Sequence, residues 1–313
     1  MRAARARAAG PGQVGRRMWR VGVLGVVLAV AALVVPASTV APTEAALVKV
    51  RSAEGMALDD DVVWILAVGS DARPGEDMLR TRGDALQLVG LRPSTGAATA
   101  IGIPRDSYVA VPGHGSDRVN AALTYGGPRL LGETVGDLVG IEPDYVMVTR
   151  FPFFEDMVDD IGGITVTNPR PFADPYLKDD GFATGRIRLS GYDAMAFSRI
   201  RKELSGGDFD RSANQQRVLR GIAAQVRARA DEPGFVERGV LSVMEHLDTG
   251  GLPPSELFML ARAVASVRQD RITTCVVGGT LGNAGAASVV FPDVAQARRY
   301  GDDARQDARL SGC

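Results

Sequence analysis

Hydrophobic and polar positions along the chain follow two alternating patterns. Short continuous apolar runs, which are typical of buried strands, occur at residues 62–68, 84–91, 97–103, 145–148, 164–166, 272–277 and 288–291. Apolar residues at spacings of three and four, which indicate amphipathic helices, occur at residues 126–139, 151–161, 191–198, 213–229, 235–247 and 255–267. Since the two kinds of run interleave throughout, the pattern predicts an α/β fold in which helices cover a central sheet.

One longer apolar run stands apart from these. Residues 21–41 contain no charge and span about 31 Å as a helix, about the thickness of a bilayer's hydrocarbon core. Six arginines and no acid lie in the first twenty residues, so the positive-inside rule places the N-terminus in the cytoplasm. We expect a cytoplasmic tail at 1–17, a transmembrane helix at 18–41, a linker at 42–58 and an extracytoplasmic domain at 59–313. A cleaved signal peptide is the competing interpretation, because Pro36 interrupts the run and small residues follow it.

Composition and charge exclude several classes of protein. The chain has 313 residues and a formal net charge of −1, and beyond residue 20 it holds 30 basic against 37 acidic side chains. A mildly acidic body argues against sequence-independent nucleic-acid binding, which needs a basic face. Two histidines and two cysteines exclude a zinc finger or a Cys/His metal cluster, so a bound metal would have oxygen ligands.

The two cysteines permit two interpretations. In an exported domain, Cys275 and Cys313 can form a disulfide that encloses 37 residues and contributes about 3–4 kcal/mol in the chain-entropy model. The alternative is a pair of free thiols, one of them in a frayed tail. Neither cysteine has a histidine nearby in the sequence, so a catalytic thiol is not expected.

Charged residues cluster at the ends of three predicted strands, where open α/β sheets place their sites. Asp71 follows the first strand, Arg82 and Asp84 open the second, and Arg105 and Asp106 follow the third. A surface charge or ion pair is the ordinary explanation for any one of them. Their coincidence at consecutive strand ends instead predicts a shared site.

A second polar cluster precedes the predicted helix at 213–229. Arg199 and Arg201, if extended, direct both guanidinium groups to one face, and Asp210 or Ser212 is expected to cap the helix. Spacings of four, three, four and four then place one stripe along the helix: Arg211, Gln215, Val218, Ile222 and Val226. Because a helix N-terminus favours an anion, the polar-to-apolar stripe suits an amphiphile with an anionic head and a hydrocarbon tail. Ordinary core packing is the alternative for its apolar residues.

Five arginines with no histidine among them favour phosphate chemistry: Arg82, Arg105, Arg199, Arg201 and Arg211. Guanidinium groups bind phosphate oxygens through planar, forked donors and keep their charge at any working pH. Asp71 and Asp84 are suited to hold a Mg²⁺ that bridges the oxygens of a pyrophosphate. The sequence has no Gly-Lys-Ser/Thr of a P-loop, and we expect the glycine-rich stretch at 278–285 to be a turn.

Together these segments resemble the LytR-CpsA-Psr family. The resemblance rests on seven ordered blocks: VGSDARPG (68–75), RGDALQLVGL (82–91), IGIPRDSYVAVPG (101–113), RVNAALTYGGP (118–128), MVDDIGGITV (157–166), LSGYDAMAFSRIRKE (189–203) and GDFDRSANQQRVL (207–219). It implies a motif-bearing core at about 62–230, followed by C-terminal helices and strands at 231–313. The implied fold is a central mixed β-sheet flanked by helices with an apolar lipid-binding tunnel, preceded by the N-terminal transmembrane helix.

The activity that the resemblance implies is a phosphotransferase. Such proteins move a glycopolymer from a polyprenyl-pyrophosphate carrier to a peptidoglycan hydroxyl, so the expected partners are this donor, peptidoglycan and the membrane. Four positions match the catalytic set: Asp71, Arg82, Asp84 and Arg105. Four others match the pyrophosphate-binding set: Arg199, Arg201, Arg211 and Gln215. The walls of the tunnel are expected among Phe153, Met157, Val218, Ile222 and Val226.

The resemblance also implies a metal and leaves a choice of base. Asp71 and Asp84 match the acids associated with Mg²⁺, for which Mn²⁺ is the substitute. Either carboxylate is a candidate to accept the proton of the acceptor hydroxyl. Three positions depart from the family's pattern: Ala85, where threonine is common; Asn214, where arginine is frequent; and Arg150, in a segment that is often acidic.

Two further function classes stay open beside the transferase. A non-catalytic polyprenyl-phosphate-binding protein needs the tunnel but not the aspartate pair. A membrane-anchored regulator of envelope biogenesis is disfavoured, because the exported body is acidic and the short N-terminal tail has no room for a helix-turn-helix.

Overall fold

Fifteen strands and seven α-helices make up the part of the chain that the computed structural model describes, residues 44–50, 62–201 and 203–313 without the side chains of 241–246. The strands are β1 (Ala45–Lys49), β2 (Val63–Ser70), β3 (Gly83–Arg92), β4 (Ala97–Gly102), β5 (Tyr108–Val111), β6 (Gly115–Arg118), β7 (Tyr145–Thr149), β8 (Ile164–Asn168), β9 (Phe172–Asp174), β10 (Lys178–Phe182), β11 (Gly185–Leu189), β12 (Leu247–Asp248), β13 (Ile272–Val276), β14 (Gly279–Ala284) and β15 (Ala287–Pro292). The helices are α1 (Ala121–Val139), α2 (Phe151–Asp160), α3 (Gly191–Arg199), α4 (Asp208–Arg229), α5 (Phe235–His246), α6 (Pro254–Ala265) and α7 (Val294–Ala304).

Seven of these strands form the central sheet, in the order β12-β1-β7-β2-β3-β4-β13. The pairs β1/β7, β2/β3 and β3/β4 are antiparallel, whereas β12/β1, β2/β7 and β4/β13 are parallel. This arrangement confirms the predicted α/β class and the mixed central sheet. Because β2, β3 and β4 run in alternate directions, the end of β2, the start of β3 and the end of β4 lie at the same edge.

Helices cover both faces of the sheet, because its central strands are apolar on each. On one face, Leu66 and Val68 of β2 belong to a large core with Leu131 and Val135 of α1 and Tyr300 of α7. Successive strand residues point to opposite faces, so their neighbours in β2 point to the other layer, which contains α4, α5 and α6. A smaller core beside it joins α3 and α4 to the separate β8/β11 pair.

Several elements differ from the sequence expectations. Strand β1 lies within the predicted linker at 42–58 and pairs with β7 and β12, so part of that segment belongs to the sheet. Helix α1 begins five residues before the predicted start and consists of two segments that meet at a kink, where Gly127 adopts φ +72° outside the helical region and Pro128 follows. The predicted turn at 278–285 is instead strand β14 of a hairpin, and α7 follows it.

The predicted tail at 1–17 and transmembrane helix at 18–41, with the rest of the linker, lie outside the described residues. Among the helices that the structure describes, none has the length and apolarity needed to cross a membrane.

A disulfide fixes the C-terminus to the sheet. Cys275 of β13 is bonded to Cys313, with 5.5 Å between their Cα atoms. Of the two arrangements that the sequence left open, the structure therefore contains the bridge.

Candidate functional site

The adjoining ends of β2 and β3 carry both predicted carboxylates. The pairing of the two strands shifts after Gly69, which leaves Asp84 as the extra residue of a β-bulge. The Asp71 N–H continues the strand pairing by donating to the carbonyl oxygen of Arg82 at 3.3 Å. Because a bulge redirects its extra side chain, Asp84 lines the large cavity described below while Asp71 stays at the edge of the sheet.

Asp71 is a partly buried carboxylate beside a second acid. Burial and the charge of Asp84 raise the pKa of Asp71, and neighbouring arginines oppose that rise only in part. Its Oδ2 atom lies 4.0 Å from Nη2 of Arg82. Its Oδ1 atom is buried and has no hydrogen-bond partner within the described part of the chain. A buried acceptor in this state carries an uncompensated desolvation penalty, which a bound cation or a proton donor would remove.

Asp106 lies beside three arginines of the polar cluster. Its carboxylate lies 3.8 Å from Nε of Arg105, 3.8 Å from Nη1 of Arg201 and 3.7 Å from Nη1 of Arg118. Arg105 also forms an ion pair with Asp84. Burial alone would lower the pKa of Arg105, but the surrounding carboxylates outweigh it and raise that pKa, so this guanidinium is firmly charged.

The first turn of α4 supplies a buried ion pair between Arg211 and Asp208. Burial lowers the pKa of Arg211 and raises that of Asp208. Asp208 Oδ2 also accepts a hydrogen bond from the backbone N–H of Arg105 at 3.0 Å. This contact connects the start of α4 to the segment after β4. The sequence expectation for the helix start was wrong: α4 begins at Asp208 after Gly207, and neither Asp210 nor Ser212 is its cap.

Arg199 and Arg201 occupy different positions in this cluster. Arg199 is the last residue of α3, so the two residues are not on one extended strand as expected. Its guanidinium lies 4.2 Å from the centre of the Phe151 ring, and no carboxylate within the described ranges lies within 4.0 Å of it. Arg201 is exposed and lies beside Asp106 instead. Arg199 therefore has its charge available to an anion.

A cavity of about 720 Å³ opens beside these groups, between the sheet and helices α2, α4, α5 and α6. All five apolar residues predicted for the tunnel line it: Phe153, Met157, Val218, Ile222 and Val226. Its walls are completed by further apolar side chains of the sheet, α5 and α6, including Ile65, Leu257 and Leu260. The polar lining includes Asp84, Arg199, Arg211 and Gln215, together with Asp156, Asp159 and Asp160 of α2.

Gln215 is fixed by the helices and sheet around it. Its Oε1 accepts from Gln87 Nε2 at 3.0 Å, and its Nε2 donates to the Ser198 carbonyl oxygen at 3.3 Å. These contacts hold α4 against β3 and the end of α3. Gln215 is thus a wall residue of the cavity whose amide already has protein partners.

Not every predicted site residue lines the cavity. Asp71, Arg82, Arg105 and Arg201 lie outside its lining. Arg105 pairs with Asp84 of the lining and reaches Arg201 through Asp106, whereas Asp71 lies beside Asp84 and faces Arg82. Arg82 is the most exposed of them, with 59% of its side chain accessible. The predicted residues therefore form a polar rim next to an apolar pocket.

Three contributors to the rim were missed by sequence reasoning. The sequence expectations give Asp208 no role, although it contacts two of the predicted arginines. No sequence pattern indicates Arg118, whose charge faces Asp106. Arg150 was noted only as a departure from the family's pattern. Asp208 stands three residues before Arg211, and this spacing is the signal that could have indicated it, because residues three apart are neighbours on a helix.

Arg150 fastens the loop that follows Asp71. Its guanidinium donates to three carbonyl oxygens in that loop: those of Ala72 at 3.2 Å, Arg73 at 2.8 Å and Glu76. Arg150 itself precedes α2, and its N–H donates to the carbonyl oxygen of Glu44 at 2.8 Å. One side chain thereby connects the loop to the edge of the sheet.

The carboxylates of the rim are suited to a divalent metal ion that prefers oxygen ligands. Within the described residues there is no group of three or more His, Cys, Asp or Glu side chains that would form an all-protein metal cage. Mg²⁺ is commonly held by one or two carboxylates together with substrate phosphates and water. The unpartnered Oδ1 of Asp71 beside the charge of Asp84 meets that requirement.

Comparison with known proteins places this geometry in a family. A sequence model of the LytR_cpsA_psr family matches residues 34–300. The chain belongs to the LytR-CpsA-Psr family. It is 33% identical over 199 residues to the Bacillus anthracis protein named polyisoprenyl-teichoic acid--peptidoglycan teichoic acid transferase TagU, an alignment that covers 63% of this chain and 62% of that protein.

Solved structures of other proteins share the fold of this chain. The crystal structure of B. subtilis TagV aligns with a TM-score of 0.65 at 24% identity, over 79% of this chain and 97% of that one. The family protein YwtF (TagT), solved with bound octaprenyl pyrophosphate lipid, aligns with a TM-score of 0.60 at 22% identity, over 82% of this chain and 95% of that one.

Proposed function

We propose that this protein is a phosphotransferase that transfers a glycopolymer from a polyprenyl-pyrophosphate carrier to a hydroxyl of peptidoglycan. The observation that carries the proposal is an apolar cavity whose lining includes Arg199, Arg211 and Asp84. Ion pairs connect Arg211 and Asp84 to other charged residues of the rim. The name of the TagU relative supports the transfer of a glycopolymer to peptidoglycan, and the lipid bound to YwtF supports the kind of carrier.

In this proposal the cavity is a tunnel for the polyprenyl tail. Its walls are mainly aliphatic and aromatic, and each methylene that leaves water there contributes about 0.8 kcal/mol. The tail lies along Val218, Ile222 and Val226, so its pyrophosphate end is at the start of α4. The carrier is thereby oriented with its charged group at the rim.

The arginines bind the pyrophosphate and stabilise the charge that develops on it. Arg199 has its charge free for this role, whereas Arg211 and Arg105 are held in place by Asp208 and Asp84. Fixed donors of this kind stabilise a developing charge without reorganising during the reaction. Arg82 and Arg201, which are exposed, close over the phosphates from the solvent side.

The reaction joins the acceptor hydroxyl oxygen to the phosphorus that carries the glycan. The bond from that phosphorus to the bridging oxygen breaks, and polyprenyl phosphate leaves with the electron pair. We assign the acceptance of the hydroxyl proton to the Asp71 carboxylate oxygen that a bound metal would leave free, because burial and the charge of Asp84 raise the pKa of Asp71 and Asp84 is held by its ion pair with Arg105. Asp71 and Asp84 would hold a Mg²⁺, or Mn²⁺, which supplies charge neutralisation to the phosphate oxygens when bound.

The proposed location follows from the chemistry of the two substrates. The carrier is a membrane lipid and the acceptor lies outside the membrane. A single-pass protein with a cytoplasmic N-terminus and an extracytoplasmic domain brings the site to both of them. The apolar run at 21–41 is the anchor in this proposal.

Conservative variants of the full chain test the enzyme directly. In detergent with Mg²⁺, a polyprenyl-pyrophosphate-linked glycan and peptidoglycan fragments, the wild type should form the phosphodiester product. Asp84→Asn should lower product formation by about 100-fold or more while donor affinity stays within about threefold, since positioned charges in a site of this kind are worth several kcal/mol to the transition state. Product is measured by mass spectrometry and donor affinity by fluorescence of a labelled lipid.

The same measurements separate the enzyme from a carrier protein. If neither the wild type nor Asp84→Asn forms product and both bind the donor equally, the chain is a polyprenyl-phosphate-binding protein. Loss of donor binding in Asp84→Asn would contradict the separation of roles between Asp84 and the tunnel.

A further inference from the structure

A stacked pair of exposed aromatic rings lies at the β5/β6 hairpin, whose Arg118 faces Asp106 of the rim. The rings of His114 and Tyr125 are 4.9 Å apart between centroids, with an angle of 13° between their planes. His114 lies in the turn between β5 and β6, and Tyr125 lies in the first turns of α1. Both residues are exposed, and Tyr125 is 42% accessible to solvent. Nothing in the proposed transfer chemistry accounts for this pair.

The structure holds both rings in place. The Tyr125 hydroxyl donates to Oδ2 of Asp117 at 2.5 Å, and Arg80 donates to the Tyr125 carbonyl oxygen at 3.1 Å. His114 is flanked by Gly113 and Gly115, both at φ +75°, a conformation that glycine adopts without strain, and the His114 N–H closes the turn by donating to the Val111 carbonyl oxygen at 2.9 Å. A rigid aromatic surface loses little conformational entropy when a ligand binds.

The pair is connected to the site of transfer. Asp117, the partner of the Tyr125 hydroxyl, is the sequence neighbour of Arg118 in β6. Arg118 lies 3.7 Å from Asp106, which in turn contacts Arg105 and Arg201 of the rim. Strand β6 thus carries both a contact of Tyr125 and a contact of the rim, which places the two rings beside the rim.

The chemistry of this surface fits a sugar ring. The face of an aromatic ring is electronegative, and it attracts the polarised C–H groups on the flat face of a pyranose. Carboxylate and guanidinium groups beside the ring, here those of Asp117, Arg80 and Arg118, offer hydrogen bonds to hydroxyl, amide and carboxylate groups of a glycan. The combination is apolar enough to stack and polar enough to orient its ligand.

We propose that His114 and Tyr125 form the binding site for a pyranose ring of the acceptor glycan, placed so that a neighbouring ring presents its hydroxyl at the rim. This inference rests on the proposed transferase function and names the surface on which its acceptor binds. The donor glycan has the same ring chemistry, so the experiment must distinguish the two sources.

The test uses the full chain in detergent with three ligands and matched variants. The ligands are a soluble peptidoglycan tetrasaccharide, a polyprenyl pyrophosphate without a glycan, and the same lipid carrying its glycan. Tyr125→Ala removes the ring, and Tyr125→Phe keeps the ring without the hydroxyl. Binding of the tetrasaccharide is measured by calorimetry and that of the lipids by fluorescence, and the melting temperature of each variant checks the fold.

We expect Tyr125→Ala to weaken binding of the tetrasaccharide at least tenfold and Tyr125→Phe to weaken it less than threefold. In the transfer assay, Tyr125→Ala should raise the KM for the acceptor with little change in kcat. Binding of both lipids should stay unchanged. His114→Ala should resemble Tyr125→Ala in direction.

Equal tetrasaccharide affinity in the wild type and Tyr125→Ala would overturn the inference. So would a loss of affinity confined to the lipid that carries the glycan, because the surface would then bind the donor. If the wild type binds the tetrasaccharide through Tyr125 but transfers nothing to it, the proposed transferase function fails while the aromatic binding site stands.

Discussion

Asp71 shows at the scale of one residue how the fold opposes the ionisation of a site carboxylate. Burial and Asp84 raise its pKa, so the folded state binds this proton more tightly than the unfolded chain does. A raised carboxyl pKa contributes stability below the ordinary aspartate pKa, and that contribution is lost as pH rises through the raised value. At neutral pH the ionised carboxylate therefore lowers the free energy of unfolding.

We predict that Asp71→Asn is more thermostable than the wild type at pH 7 in the presence of a chelator. The difference should shrink as pH falls below about 4, where aspartate becomes protonated in the unfolded chain too. Asp117→Asn is the matched control: the hydrogen bond from Tyr125 lowers the pKa of Asp117, so its loss should reduce stability at pH 7. Scanning calorimetry from pH 3 to 8 measures both. A lower melting temperature for Asp71→Asn at pH 7 would refute the argument.

Arg150 is a positioning residue at the same scale. Its guanidinium holds three carbonyl oxygens of the loop after Asp71, and a lysine has no planar fork to do the same. We predict that Arg150→Lys and Arg150→Ala both lower kcat for transfer about tenfold while the affinity for the polyprenyl pyrophosphate stays unchanged. Limited proteolysis should cut both variants faster within residues 72–77. Full activity of Arg150→Lys would contradict the prediction, because it would show that one positive charge holds the loop without the planar guanidinium.

At the scale of elements, the position of α4 depends on a close approach to β4. Gln216 Nε2 donates to the carbonyl oxygens of Ala100 at 3.2 Å and Cys275 at 2.7 Å. A Cβ at Gly102 would collide with Ser212 Oγ and lie 2.9 Å from Gln216 Nε2. Since α4 also carries Arg211 and the apolar wall of the cavity, its seat on the sheet sets the geometry of the site.

Gly102→Ala should therefore disturb both stability and binding. We expect it to destabilise the protein by about 1–3 kcal/mol, as overpacking of a core does, and to weaken polyprenyl-pyrophosphate binding as α4 shifts. Gly239→Ala is the control for stability alone, because a Cβ there meets nothing within 4 Å and alanine is favoured in a helix, whereas Gly239 lines the cavity and is not neutral for lipid binding. Urea unfolding and lipid titration test the two variants side by side. Unchanged stability in Gly102→Ala would contradict the described contact between α4 and β4.

The sequence predicts elements well where an apolar run is long and local. The strands at 62–68, 84–91 and 97–103 and the helix at 151–161 lie within two residues of β2, β3, β4 and α2. Strand β1 is missed because its five residues gain their structure only from distant partners, β7 and β12. The bulge at Asp84 is missed for a related reason: it depends on the pairing register of two strands, which the pattern of one strand does not contain.

At the scale of the whole molecule, the predicted site residues come from segments far apart in the chain and meet beside one cavity. Asp84 and Arg105 were predicted from the ends of strands, and Arg199 and Arg211 from their residue type. The structure places Asp84, Arg199 and Arg211 in the lining of the cavity and pairs Arg105 with Asp84. The partners that hold them were not predictable. Asp208 lies 103 residues from Arg105, and only the folded chain shows that they touch.

The central claim is that the cavity holds the polyprenyl tail while the rim holds its pyrophosphate. Photo-crosslinking tests it most directly, with a polyprenyl pyrophosphate that carries a diazirine at the far end of its tail and with the full chain in detergent. The account predicts crosslinks to the walls formed by residues 218–226 of α4 and 257–264 of α6, and their suppression in Ile222→Trp, which fills the cavity. Crosslinks to outward-facing residues that persist in Ile222→Trp would contradict it.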